Sequence, residues 1–262
     1  RWSLQQNDAA YDLWSKKFSA LFNSTTCKCY WDERWHQPIE TEEGQRILDL
    51  FLDEKEWARN NGLRAKGHPL VWTVPKAIPK WMLKYSIEEQ MRRLEYHVRD
   101  LIRNGADHIV KWDLCNEMLW EPSLRNVPKR DWPHIESIDE ILTTLEPAVH
   151  WAREELPEGH FALNEYGLLH TSQDVISPSR QRERYLELIE EMFRRDCAPD
   201  AIGWQAHIGA WFPHDAFYQT IDTLAQSGLP VEITEFWAHD KHNPGFGQLS
   251  DEELIQTKVE YM

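Results

Sequence analysis

Apolar residues recur at helical spacing in six segments of the chain, and a shorter, more continuous apolar run follows five of them. The predicted helices lie within residues 41–62, 86–105, 137–159, 180–195, 216–228 and 250–262. Three of them begin with the Ser-x-x-Glu spacing of a capping box. The apolar runs, together with one that precedes the first helix, predict strands within residues 20–31, 63–72, 108–117, 160–166, 201–207 and 230–236.

Helices that alternate with apolar strands predict an α/β fold in which helices flank a parallel sheet. A doubly wound nucleotide-binding fold would carry a glycine-rich loop after its first strand, and neither GxGxxG nor GxxxxGK is present. We therefore predict a (β/α)8 TIM barrel formed by a single domain over residues 1–262. A closed barrel has eight strands and six are predicted, so we expect its first and last strands to lie outside this sequence.

The charge balance narrows the range of partners. Lys and Arg number 29 and Asp and Glu number 44 among the 262 residues, which gives a formal net charge of −15. Because phosphate-rich partners bind cationic surfaces, this charge argues against nucleic acid and anionic membrane, but not against a neutral substrate. No apolar run approaches the roughly 20 residues that span a bilayer, and the opening RWSLQQNDAAYD does not have the pattern of a signal peptide.

The cysteine and tryptophan contents also bear on the chemistry. The four cysteines are Cys27, Cys29, Cys115 and Cys197. Their spacing fits neither a disulfide framework nor the paired CxxC pattern of a structural zinc site, so we predict free thiols. Tryptophan is unusually frequent, with 14 residues. Its flat amphipathic ring lines sugar-binding grooves, although burial in a core is the commoner reason for any single tryptophan.

Polar residues follow each predicted strand at the point where the strand ends. In chain order they are Asn23, His68, Asn116 with Glu117, Asn164 with Glu165, Gln205 with His207, and Glu235. One strand-end carboxylate usually caps a helix or faces solvent, but the carboxyl ends of barrel strands converge on one mouth. Two carboxylates facing each other there can cleave a glycosidic bond, because one protonates the leaving oxygen while the other attacks the anomeric carbon.

These motifs resemble glycoside hydrolase family 10, whose usual activity is endo-β-1,4-xylanase. The resemblance extends from about Phe22 to Phe236 and is carried by FNS at 22–24, GHPLVW at 67–72, WDLCNE at 112–117, LNEY at 163–166, IGWQAH at 202–207 and EITEF at 232–236. It implies a TIM barrel, in agreement with the alternation of helices and strands. It also implies a retaining reaction that needs no cofactor or metal, because side chains supply both the proton and the nucleophile.

The resemblance places the acid/base on Glu117 and the nucleophile on Glu235. Asn116 would hydrogen-bond the sugar 2-hydroxyl, a contact that strengthens as the oxocarbenium ion develops. His207 would hydrogen-bond Glu235 and hold it in place. The other substrate-binding residues that the resemblance implies are His68, Trp72, Tyr166, Gln205 and Trp81, and for Trp81 core packing is almost as good an interpretation.

Two further glutamates near these motifs are predicted to have supporting roles. Glu165 repeats the Asn-Glu pair, but the matching position of the family is a supporting Asp beside a substrate-contacting Tyr, here Tyr166. A direct part for Glu165 in catalysis is the less favoured alternative. Glu232 precedes Glu235 by three residues, so on an extended strand it faces the opposite side, and we predict a helix-facing or salt-bridged role.

Several positions depart from the family pattern. Glu, Asn, Lys, His and Asp of the family are replaced, in that order, by Thr26, Cys27, Tyr30, Thr73 and Trp237. Lys28 is a partial substitute for the missing lysine, because it lies two positions from Tyr30 and therefore on the same face of a strand. The departures alter the sugar-reading residues and leave both glutamates of the reaction in place.

We therefore favour a retaining endo-β-1,4-glycanase, in the first place a xylanase, that acts on a polysaccharide as a secreted or periplasmic monomer. One alternative keeps the mechanism and changes the substrate to another β-glycan. The other alternative is a catalytically impaired carbohydrate-binding barrel. The presence of both Glu117 and Glu235 argues against it, since a pure binder has little use for a buried, mutually repelling pair.

Overall fold

The computed structural model describes residues 9–31, 39–74, 77–120, 124, 135–170, 175–208, 214–238 and six residues between 250 and 259. The helices are α1 (Ala9–Leu21), α2 (Asp49–Asn60), α3 (Ile87–Gly105), α4 (Ile138–Glu155), α5 (Pro178–Arg194) and α6 (His214–Ala225), with a 3-10 helix at Lys80–Lys84. The strands are β1 (Ser24–Lys28), β2 (Arg64–His68), β3 (Ile109–Asn116), β4 (His160–Glu165), β5 (Ala201–Trp204), β6 (His207–Ile208), β7 (Val231–Ile233) and β8 (Trp237–Ala238).

Six of the strands form one parallel sheet in the order β1-β2-β3-β4-β5-β7. Each of the six lies within a predicted strand, and their order in the sheet follows their order in the chain. Sequential parallel strands joined by helices place every carboxyl end at the same edge of the sheet. The short strands β6 and β8, which were not predicted, pair with each other at that edge.

Local capping explains where several helices begin. The Ser86 hydroxyl accepts a hydrogen bond from the Glu89 N–H at the start of α3, and Ser137 with Glu140 forms a full capping box at the start of α4. The predicted box at Ser250 is also present, since Glu253 binds the Ser250 N–H at 2.8 Å and returns its own N–H to the Ser250 hydroxyl.

The first part of the chain differs from the prediction in two ways. Helix α2 begins at Asp49 rather than near residue 41, because Glu40 and Arg46 form an antiparallel bridge around a turn at Gly44, whose φ is 82°. Helix α1 was not predicted. None of its described residues is buried. Its contact with α2 includes the ring of Trp14, which stacks on Trp57. A helix without a buried stripe gives only a weak periodic signal.

The core fills the space between the sheet and the helices. Its largest fully buried side chains are Trp112, Trp120, Trp204, Tyr185, Phe51 and Phe161. The four cysteines are free, as predicted, and the structure buries all four. Among the described residues, no helix is both long enough and apolar enough to cross a membrane.

Candidate active site

Glu117 lies directly after β3, where the strand departs from regular geometry. The register between β3 and β4 shifts between Asp113 and Cys115, and Glu117 has a left-handed backbone with a φ of 58°. This conformation is strained for a residue with a side chain, and two hydrogen bonds hold it. The Glu117 N–H donates to the Asn164 carbonyl at 2.8 Å, and the Glu117 carbonyl accepts from the Trp120 N–H at 3.2 Å.

The carboxyl group of Glu117 is buried beside two uncharged donors. Trp72 Nε1 donates to Oε2 at 3.0 Å, and Gln205 Nε2 lies 3.4 Å from Oε1. Glu117 itself is only 8% exposed. Both oxygens therefore have a partner, which fixes the orientation of the group at the carboxyl edge of the sheet.

Glu235 follows β7 and lies among an amide and two histidines. Asn164 Nδ2 donates to its Oε1 at 2.7 Å, His207 Nε2 lies 3.4 Å from its Oε2, and His68 Nε2 lies 4.0 Å from Oε1. Burial raises the pKa of Glu235. The hydrogen bond from His207, the charge of His68 and the hydrogen bond from Asn164 outweigh burial and bring this pKa below its ordinary value. Glu235 is thus held as a carboxylate, and the predicted contact with His207 is present.

Three side-chain amides join the two carboxyl groups. Asn164 Nδ2, which donates to Glu235, also donates to Asn116 Oδ1 at 2.9 Å. The same Asn116 oxygen accepts from Gln205 Nε2 at 3.2 Å, and this nitrogen in turn lies 3.4 Å from Glu117 Oε1. We call Asn164, Asn116 and Gln205 the amide chain. It brings the ends of β3, β4, β5 and β7 together around one site.

The buried carboxylate of Asp113 contacts the ring nitrogen of His68 that is not directed toward Glu235. His68 Nδ1 lies 2.7 Å from Asp113 Oδ2, and Lys66 Nζ lies 2.7 Å from the same oxygen. Burial raises the pKa of Asp113, but the charge of Lys66 and the hydrogen bond from His68 outweigh it and lower this pKa. Gly67 allows the approach of β2 to β3, because a Cβ at this position would lie 2.0 Å from the ring of Trp112.

Glu165 contacts a different part of the molecule. Its two oxygens accept from the N–H groups of Leu119 and Tyr166, both at 2.8 Å. Glu165 is fully buried, and burial raises its pKa to about 8; the two backbone hydrogen bonds oppose this effect and the charge of Glu117 adds to it. Its placement agrees with a supporting role, since it holds the backbone of the segment that follows Glu117.

The family model of glycosyl hydrolase family 10 matches residues 4–261. The chain belongs to glycosyl hydrolase family 10.

Curated relatives resemble the chain at low identity. A "Beta-1,4-xylanase" of Dictyoglomus thermophilum is 27% identical over 182 residues, which are 69% of this chain and 48% of the relative. "Endo-1,4-beta-xylanase A" of Caldicellulosiruptor saccharolyticus is 25% identical over 261 residues, and the match covers 95% of this chain and 70% of the relative. The chain thus spans about half the length of the first relative and 70% of the second.

Solved structures of the family share the fold. A GH10 structure from Paenibacillus barcinonensis has a TM-score of 0.73 at 20% identity, over 98% of this chain and 73% of that one. Native xylanase 10B from Thermotoga maritima has a TM-score of 0.71 at 20% identity, over 99% and 73%. Family 10 folds as a (β/α)8 TIM barrel, and the six-stranded parallel sheet with its helices is part of such a barrel. The predicted fold class is confirmed.

Tyr166 borders the carboxyl groups of the family 10 site. Its ring stacks on Trp120, with 4.8 Å between ring centroids and 17° between ring planes. Burial raises the pKa of Tyr166, and the charges of Glu117 and Glu165 raise it further. The phenol therefore stays protonated beside both glutamates.

Trp81 lies in a separate aromatic cluster. It occupies the 3-10 helix, packs edge-on against Trp31 at 6.4 Å, and has the guanidinium group of Arg93 over its ring at 5.2 Å. These contacts agree with the core-packing alternative. A contact between Trp81 and substrate stays a prediction.

Two of the positions that depart from the family pattern, Cys27 and Trp237, differ in their exposure to solvent. Cys27 is fully buried in the hydrophobic core, which excludes it from direct contact with a sugar. Trp237 is 54% exposed and lies edge-on to His207, at 6.0 Å between ring centroids. An exposed aromatic ring therefore borders the histidine that contacts Glu235.

Glu232 forms the predicted salt bridges at the other end of β7. Lys111 Nζ and His160 Nε2 lie 2.7 Å and 3.0 Å from its Oε1. The sequence places Asn164 among the polar strand-end residues but does not predict its bond to Glu235, and it assigns no role to Asp113 or Lys66. A charged residue within an otherwise apolar strand is the signal that could have found Asp113, but its partners depend on the register between strands.

Proposed function

We propose that this family 10 protein is a retaining endo-β-1,4-glycanase that hydrolyses internal bonds of xylan. The observation that carries the proposal is the amide chain, which joins two carboxyl groups with unlike partners. Glu235 lies between two histidines, whereas Glu117 accepts a hydrogen bond from the indole of Trp72 and lies 3.4 Å from the amide nitrogen of Gln205. The xylanase names of the relatives support the choice of xylan.

In the first step, the Glu235 carboxylate attacks the anomeric carbon of the sugar bound beside it. The bond from that carbon to the leaving oxygen breaks, and Glu117 transfers its proton to this oxygen. The products are a shortened chain and an ester between the sugar and Glu235. Asn116 hydrogen-bonds the sugar 2-hydroxyl in this mechanism, and the position of its amide between the two carboxyl groups in the amide chain supports that role.

In the second step, Glu117 is ionised and accepts a proton from water as the water oxygen attacks the anomeric carbon. The ester bond breaks, Glu235 leaves as a carboxylate, and both glutamates return to their starting states. Two inversions at one carbon give net retention. The lowered pKa of Glu235 suits both its attack and its departure, because each favours the ionised group.

The proposal is tested by incubating the purified protein with xylan, cellulose and mannan and separating the products by size. We expect xylo-oligosaccharides of several lengths early in the reaction, as internal cleavage requires, and no products from Glu235→Ala. Binding of xylan without any products from the parent protein would favour a carbohydrate-binding barrel instead.

A second candidate keeps this mechanism and replaces xylan with another β-glycan. It is favoured by Tyr30 and Trp237, two aromatic residues at the site that depart from the family pattern. Products from cellulose or mannan in the same experiment, at rates above that for xylan, would support this candidate.

A further inference from the structure

Tyr30 follows β1 and lies on the side of the sheet where the site is. Its neighbours Cys27 and Cys29 are buried in the hydrophobic core, and alternate residues of an extended chain face opposite sides. Tyr30 packs edge-on against His68, with 5.7 Å between ring centroids and 85° between planes. It also packs against Trp72, at 5.7 Å and 47°.

The two rings that Tyr30 contacts are partners of the two carboxyl groups. Trp72 donates to Glu117 at 3.0 Å, and His68 lies 4.0 Å from Glu235. Burial raises the pKa of Tyr30, and the charges of both glutamates contribute to the same direction, so the phenol keeps its proton. A phenol oxygen donates one hydrogen bond and accepts others, which matches the hydroxyl groups of a sugar.

The backbone around Tyr30 is fixed on both sides. The Cys29 N–H donates to the His68 carbonyl at 2.9 Å, and the Ile39 N–H donates to the Tyr30 carbonyl at 3.3 Å. The next residue, Trp31, stacks on His97 at 4.4 Å between ring centroids. Tyr30 is therefore held in place before any ligand arrives, which lowers the cost of ordering it on binding.

We propose that Tyr30 contacts the sugar ring that binds between Glu117 and Glu235, and that it helps to determine which sugar is accepted. Its ring forms one wall of the binding site, and its hydroxyl group hydrogen-bonds a sugar hydroxyl. The ligand class is a neutral pyranose, because the phenol adds hydrogen-bonding capacity beside two carboxyl groups without adding a positive charge. This inference rests on the proposed glycosidase function.

The test uses Tyr30→Phe, which removes the hydroxyl group and keeps the ring. The kcat/KM is measured on para-nitrophenyl β-xylobioside and on analogues that each lack one hydroxyl of the sugar next to the nitrophenyl group. We expect a loss of roughly 2- to 13-fold on the parent substrate, as for one neutral hydrogen bond, and almost none on the analogue that lacks the contacted hydroxyl. Tyr218→Phe, at a tyrosine that is 62% exposed on α6, is the matched control.

A residue that only positioned Trp72 and His68 would give the same loss on every analogue, and that result would overturn the proposal. So would an unchanged kcat/KM on the parent substrate. A second measurement uses binding instead of turnover. The affinities of xylobiose and its deoxy analogues are measured for the inactive variant Glu235→Gln and for the double variant that also carries Tyr30→Phe. If Tyr30→Phe weakens the affinity only for ligands that carry the contacted hydroxyl, while the parent protein turns over no β-glycan, the proposed function is refuted and this inference still holds. Equal affinities with and without the Tyr30 hydroxyl would refute the inference.

Discussion

The neighbouring strands β3 and β4 end in the same Asn-Glu pair, and the structure uses the two pairs differently. Asn116 and Asn164 hydrogen-bond each other in the amide chain. Glu117 follows a register shift and itself has a left-handed backbone conformation, and it lies beside Gln205 in the same site. Glu165 continues the regular strand β4, so it faces away from Asn164 and binds backbone N–H groups. Backbone geometry, rather than the dipeptide, decides which glutamate lies with Gln205 in the candidate site.

The largest expected effect separates the two glutamates by their dependence on the leaving group. Glu117→Ala should lower kcat/KM on xylan by roughly 100- to 10,000-fold, the range of general acid catalysis. It should have a much smaller effect on the first step with a dinitrophenyl glycoside, whose leaving group needs no proton. Glu165→Ala should lower both rates by a similar factor, because it acts through the backbone. If Glu165→Ala instead slows xylan cleavage much more than the first step with the dinitrophenyl glycoside, Glu165 rather than Glu117 is the general acid.

The two asparagines are distinguished by Asn164→Ala, because Asn164 donates directly to Glu235. Loss of a hydrogen bond to a charged group, about 1.5–3 kcal/mol, corresponds to roughly 10- to 150-fold in kcat/KM. The same bond lowers the pKa of Glu235, so its removal should move the acidic limb of the pH profile to higher pH. Asn104→Ala on α3 is the control, since its amide bonds to Asp100. A pH profile that does not move in Asn164→Ala would show that the bond does not support the nucleophile.

Burial of Glu165 should appear in the pH dependence of stability. Its pKa is raised from 4.5 to about 8, so the folded protein binds more protons than the unfolded chain between these values. This contribution to stability is complete below the lower value and is lost as pH rises through the higher one, with a slope of at most about 1.4 kcal/mol per pH unit. Urea unfolding of Glu165→Gln from pH 5 to 8 should lack that slope. If the unfolding free energy of Glu165→Gln falls with pH as steeply as that of the parent protein, the slope arises from groups other than Glu165.

The smallest effect is expected at Glu232, the third glutamate near these motifs. Its partner Lys111 is 39% exposed, so Glu232→Gln should cost at most about 1 kcal/mol of unfolding free energy, and less at high salt. The kcat on any β-glycan should not change. A large loss of kcat would mean that this end of β7 is coupled to the site.

The fold was predictable where local signals decide it. The helices that begin at Ser86 and Ser137 have capping residues and buried stripes, and the strands have apolar runs. Helix α1 was missed because none of its residues is buried. The start of α2 was misplaced because helical spacing continues into residues 41–48, where the turn at Gly44 and its bridge prevail.

The site was predictable as a set of strand ends, because parallel strands bring their carboxyl ends together. The hydrogen bonds between these residues were not predictable. The contact from Asn164 to Glu235 spans β4 and β7, and the direction of Glu117 depends on one backbone angle. The motif WDLCNE contains Asp113 as well as Glu117, but its spacing does not show that Asp113 binds His68.

The most direct test of the account is the product that Glu117→Ala forms from an activated aryl β-glycoside in the presence of azide. Without Glu117, Glu235 still forms the glycosyl ester, and azide needs no base to attack it. The account predicts a β-glycosyl azide by NMR from Glu117→Ala and none from Glu165→Ala. An α-glycosyl azide from Glu117→Ala, or a β-glycosyl azide from Glu165→Ala instead, would contradict it.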